Sequence, residues 1–136
     1  MRTEISGVVY EVAPLLTPDG IPVVCRFVNL LTSGNSANTL TGVILGAMAN
    51  RELANDVKYF CEVFAKHTEI VGAGTSVTLD TVFATHFRAK YRDLVEWLVF
   101  CFKVNVGEDF LAAIKAAGFA GTGFPSPSPE APQASG

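Results

Sequence analysis

The sequence is short of charge. Only 17% of its 136 residues are Asp, Glu, Lys or Arg, where about a quarter is usual for a soluble domain. The 10 basic residues are outnumbered by 13 acidic ones, giving a formal net charge of -3. The densest basic stretch, Arg88, Lys90 and Arg92, sits beside Asp93 and Glu96. A nucleic-acid surface needs a basic face that neutralises several phosphates, so this class of partner is excluded.

Metal- and thiol-based chemistry is equally short of material. The cysteines, Cys25, Cys61 and Cys101, are widely separated and each lies in an apolar run (VVCRF, YFCEV, VFCFK). Zinc ligands usually pair two to four residues apart. An odd count without close pairs suits a reducing cytoplasm, where cysteine acts as a small core hydrophobe. The only histidines, His67 and His86, are not placed near a cysteine by anything in the sequence. No metal site, no cofactor and no enzyme activity are expected. Long apolar runs are missing as well, so no bilayer-spanning segment is expected. The opening MRTEISG carries an acid early and reads as no signal peptide.

What is present is apolar residue in quantity, 49% of the chain, with enough length to bury a core without staples. Residues 2–12 read as a β-hairpin turning at Ser6-Gly7. Thr17-Pro18-Asp19-Gly20 is a turn signal. Pro22 is expected in the first turn of a helix running to about Leu31. Ser36 or Asn38 would cap a second helix through Leu40, Val43, Ile44, Ala47 and Met48. On it, Gly42 and Gly46 would admit a neighbouring helix. Glu52 to Lys66 is the cleanest amphipathic helix.

The stretch from His67 to Leu79 reads as a loop rich in Gly and β-branched residues. Within it, Gly72-Ala73-Gly74 imitates a dinucleotide-binding turn, but Val77 holds the third glycine position and no βαβ context surrounds it. A plain loop is the better reading. Thr81 to Lys103 is expected as one long helix, with Phe83, Phe87, Tyr91, Leu94, Val95, Leu98 and Phe102 on one stripe. Asn105 and Glu108 fit a capping pattern for a last helix from Asp109 to Ala117. Residues 119–136 hold four of the seven prolines and read as a disordered Pro/Ser/Gly-rich tail. The expected fold is therefore mainly α: one small helical domain over residues 1–118 with an N-terminal β-hairpin (α+β), then the tail.

Six aromatics near the C-terminus, Phe87, Tyr91, Trp97, Phe100, Phe102 and Phe110, are the candidate partner-binding residues. Core packing accounts for aromatics on a helix. However, Trp97 to Phe102 are six successive apolar residues, which cannot all face one way, and part of that surface is free to receive an apolar helix from another protein.

Two phrases carry a resemblance. His86-Phe87-Arg88-Ala89-Lys90-Tyr91-Arg92-Asp93-Leu94, followed by Phe102-Lys103-Val104-Asn105-Val106-Gly107-Glu108-Asp109-Phe110, resembles the tail assembly chaperones of long-tailed bacteriophages. So does the opening Ile5-Ser6-Gly7-Val8-Val9-Tyr10-Glu11-Val12-Ala13-Pro14-Leu15. The two phrases bracket most of the domain. The sequence departs from the family at Val106, where Phe is usual, and at Leu111, where a second Phe commonly follows Phe110. The resemblance implies a small, mostly helical protein in the cytoplasm of the infected bacterial host. It would bind and solubilise the tape measure protein and help recruit tail tube subunits. A structural tail or head-completion subunit retained in the virion is the alternative, and a homo-oligomer is left open.

Overall fold

A computed structural model of the protein describes residues 1–31 and 39–116. The proposed caps Ser36 and Asn38, the boundary at residue 118 and the tail at 119–136 lie outside the described residues. The fold is α+β and mostly helical. The order is β1 (Arg2–Ile5), β2 (Val8–Val12), α1 (Thr17–Leu31), α2 (Leu40–Met48), α3 (Ala54–Ala65), β3 (Thr68–Gly72), β4 (Thr75–Thr78), α4 (Leu79–His86), α5 (Tyr91–Val106) and α6 (Glu108–Ala116).

The N-terminal hairpin forms as expected. Ser6 and Gly7 both have positive φ, 51° and 83°, the combination that matches the twist of the flanking strands. It does not stand alone, however. The stretch expected as a loop is a second hairpin, and its β3 pairs antiparallel with β2, giving one sheet in the order β1-β2-β3-β4. Ile5, Tyr10, Val12 and Thr68 are buried, whereas Arg2, Glu4 and Glu69 are exposed. Alternation along each strand thus gives the sheet an inner face, against which α3, α4 and α5 pack, and a solvent face. In this hairpin Ala73 and Gly74 make the turn between paired Gly72 and Thr75, with Gly74 at φ 78°.

Helix α1 starts earlier than expected. The carbonyl of Leu16 accepts from Gly20 N–H at 2.9 Å, so Thr17-Pro18-Asp19 is a helix start with proline and an acid in the first turn. Pro22 falls in the second turn, where it forgoes one intrahelical bond. Thr39 caps α2, its side chain accepting from Gly42 N–H at 3.1 Å. Gly46 is exposed, and it is Val43, Ile44 and Ala47 that α2 buries. Asn105 does not cap α6. Its Oδ1 accepts from Leu15 N–H at 2.7 Å and its Nδ2 donates to the Cys101 carbonyl at 2.9 Å. Gly107, at φ 86°, makes the corner between α5 and α6.

The expected long helix is two. Phe87 to Lys90 break it, with Ala89 in the left-handed region at φ 59°. A straight helix from Thr81 to Lys103 would run about 35 Å at 1.5 Å per residue, beyond the core of so small a domain. The break instead lets Phe87 and Trp97 pack at 5.5 Å between ring centroids. The core centres on α5. Phe102 meets Phe27 of α1 at 4.6 Å and Phe60 and Phe64 of α3 at 4.8 and 5.2 Å.

Thr68, fully buried, joins three elements. From β3 its hydroxyl donates to the Phe64 carbonyl of α3 at 2.8 Å and accepts from Trp97 Nε1–H of α5 at 3.3 Å. Thr68→Val keeps the shape but leaves the indole N–H unpaired, and is expected to cost about 1–3 kcal/mol. Thr68→Ser should cost less. Urea unfolding followed by the emission of Trp97 measures both, and equal losses would show that the hydroxyl contributes nothing.

Candidate functional site

The two phrases that carry the family resemblance meet in space. Ser6 Oγ, at the hairpin turn, donates to Asp93 Oδ1 of α5 at 2.9 Å. Tyr10 Oη and His86 Nε2 share a hydrogen bond of 2.7 Å, and the Tyr10 ring stacks on Phe87 at 6.1 Å. Leu15 and Asn105 close the far end. Burial, with the nearby Asp93 carboxylate, pushes the Tyr10 hydroxyl up to about 12. Burial also pushes the His86 imidazole down, aided by Lys90 and opposed by Asp93. A neutral Tyr–His pair is therefore built into the seam between hairpin and helices.

The six candidate aromatics separate into three environments. Phe87, Trp97 and Phe102 are core residues, 5%, 0% and 1% exposed, and offer no surface to a partner. Phe100 is half-buried. Tyr91 and Phe110 are outside, 63% and 41% exposed. The single stripe expected along one long helix is split by the break, so Phe87 and Tyr91 do not share a face. Leu98 joins the core and Phe83 is half-buried.

The apolar surface lies elsewhere. A groove of about 350 Å³ opens between α2, α3, α4 and α5, lined by Met48, Ala54, Val57, Cys61, Phe83 and Leu94, with Lys58 and Glu62 as its charged members. Exposed Leu45, at 52%, lies one turn before Met48 on α2. Tyr91 lies one turn before Leu94 on α5, so each is one turn from a residue that lines the groove. Sequence reasoning missed this site because its walls come from four helices, two of which were taken as one. The i, i+4 pair Val57 and Cys61 on α3 was the one local sign of it.

Other candidate chemistry finds no geometry. Burial and Glu62 push the Cys61 thiol up to about 12, and burial likewise raises Cys101, the reverse of an activated thiolate. Cys25 is exposed rather than core. Among the described residues, no three His, Cys, Asp or Glu side chains gather as a metal site. Nor is any described helix long and apolar enough to cross a membrane. No protein-family model, curated protein or solved structure matches this chain.

Phe87→Ala is expected to destabilise the fold by about 3–5 kcal/mol, the usual range for a buried phenylalanine. A urea-unfolding loss below about 1 kcal/mol would mean that this ring is not core. The seam also has a pH signature. Unfolded His86 takes up its proton near the ordinary 6.5, whereas the folded group does so only at lower pH. Its contribution is complete above 6.5 and is lost as pH falls through the lower folded value. Between pH 7.5 and 5, His86→Gln should therefore lose less stability than the parent. Identical pH dependence of the two urea midpoints would remove His86 from the account.

Proposed function

We propose that the chain is a tail assembly chaperone of a long-tailed bacteriophage. It acts in the host cytoplasm, where it binds and solubilises the tape measure protein and helps recruit tail tube subunits. The observation that carries this reading is the seam. The two phrases resembling that family are distant in sequence, yet hydrogen bonds from the Ser6 and Tyr10 side chains and the Leu15 backbone N–H to Asp93, His86 and Asn105 make them one structural unit. A pattern of paired phrases fits a scaffold whose halves must be kept together.

The groove supplies the second requirement. A holdase for an apolar helical client needs exposed apolar surface on a stable body, and each Å² of apolar client surface it covers contributes about 25 cal/mol. The groove between α2 and α5 has apolar walls, and exposed Leu45 and Tyr91 each lie one helical turn from a residue that lines it, Met48 and Leu94. An amphipathic client helix would lay its apolar stripe there, with Lys58 and Glu62 available to its polar edges. The buried aromatics hold the walls in place.

Co-expression with the tape measure protein of the same phage tests the reading. The parent chain should keep that protein in the soluble fraction. The double substitution Leu45→Glu and Tyr91→Glu should abolish the effect while leaving the unfolding midpoint nearly unchanged. No solubilisation by the parent would overturn the proposal. Abundant chain in mass spectra of purified virions would favour the retained structural subunit instead.

A further inference from the structure

Among the described residues the outer edge of β1 has no strand partner, and it is self-complementary. β1 is an end strand of the sheet, bonded only to β2 among the described residues. The two-residue turn at Ser6-Gly7 makes Ile5 and Val8 the closing, mutually hydrogen-bonded pair. Bonded and non-bonded pairs then alternate, so Thr3 bonds inward to Tyr10, while Arg2 and Glu4 stand opposite Glu11 and Val9 in non-bonded positions. The backbone N–H and C=O groups of Arg2 and Glu4 therefore point away from β2. Both side chains lie on the exposed face of the sheet.

We infer that β1 pairs antiparallel with β1 of a second copy of this chain, about a two-fold axis at Thr3. In that register Arg2 of each copy stands opposite Glu4 of the other. Each such pair exchanges both backbone bonds, so the edge gains four hydrogen bonds and two charge pairs of opposite sign. Thr3 faces Thr3 at the axis as the intervening non-bonded pair, as the alternation requires. The sheet becomes continuous over eight strands.

A one-residue slip brings Arg2 opposite Thr3 and leaves the charges unmatched, so the charge pattern selects the register. Edge charges of one sign would repel a second copy. Arg2 and Glu4, of opposite sign and symmetric about Thr3, do the reverse. The other end strand, β4, offers no equal edge. It carries no charge and ends at Thr78, directly before α4.

Beside β1 lies a second groove of about 250 Å³, lined by Thr3, Thr41, Val99 and Phe100 together with charged Glu4, Glu96 and Lys103. The two-fold axis places the same groove of the second copy on the same side of the extended sheet. Half-buried Val99 and Phe100 of both copies are then covered together. An edge of this length makes a weak, concentration-dependent dimer, at the low end of specific interfaces.

Sedimentation equilibrium of the full chain is expected to show the mass rising with concentration toward twice the chain's 14.5 kDa. Arg2→Glu alone, or Glu4→Arg alone, places like charges opposite each other twice and should weaken the dimer about tenfold or more. The combined exchange Arg2→Glu with Glu4→Arg should restore it. That rescue separates the dimer from the fold, because the exchange leaves the intrachain bond from Arg2 to Glu11 broken. Glu4→Pro removes an outward N–H without touching a bond to β2 and should also give monomer. A parent that stays monomeric at millimolar concentration overturns the inference, as does a dimer indifferent to both charge reversals.

Discussion

The indole N–H of Trp97 has to be satisfied in the middle of the core, and much of the architecture follows from how this is done. Thr68 is the one polar side chain fully buried among the described residues. A buried hydroxyl or indole without a partner costs more than a typical hydrogen bond contributes. Thr68 meets that demand by donating backwards to the last turn of α3 and accepting from α5. Its position is fixed in turn by pairing with Val12 of β2. The end of α3, the start of β3, the hairpin and the central helix are thereby held in one register. The phenylalanines around Phe102 add bulk and dispersion to this arrangement, but as apolar rings they impose less directional constraint.

Much of the fold was legible locally. The N-terminal hairpin, α2, α3 and α6 follow from turn residues and apolar periodicity. Helix α1 was legible in its body but displaced at its start, because Thr17-Pro18-Asp19-Gly20 serves equally well as a turn or as a first helical turn. The second hairpin was hidden for a different reason. Glu69-Ile70-Val71 and Ser76-Val77-Thr78 alternate weakly, and strands of this kind gain stability only when a neighbour is supplied. That neighbour is β2, some sixty residues earlier. The break at Phe87 to Lys90 has no glycine or proline to announce it. It arises because burying Phe87 and Trp97 together outweighs the cost of Ala89 at positive φ, about 1–2 kcal/mol.

That break also explains why the candidate site was only partly legible. Of the six aromatics singled out, Phe87, Trp97 and Phe102 became core and Phe100 is half-buried, while Tyr91 and Phe110 came out exposed. The groove needs residues from four helices, and no local pattern could bring Met48, Val57, Phe83 and Leu94 together. The shortage of charge divides in the same way. Most of the apolar surplus is spread through the interior around α5, and a smaller share, including Leu16, Ile21, Leu45, Val77, Tyr91 and Phe110, remains on the surface.

The seam bonds from Ser6 to Asp93, from Tyr10 to His86 and from Leu15 to Asn105 span 87, 76 and 90 residues. Such closures are slow, since the entropy of a long loop must be lost before its contacts form. During synthesis the first hairpin leaves the ribosome well before any of its three partners exists. An isolated two-stranded hairpin is marginal in water, so the hairpin stays unsettled until β3 and then α5 have emerged. The N-terminal strands are then among the last parts of the domain to become fixed, although they are the first to be made.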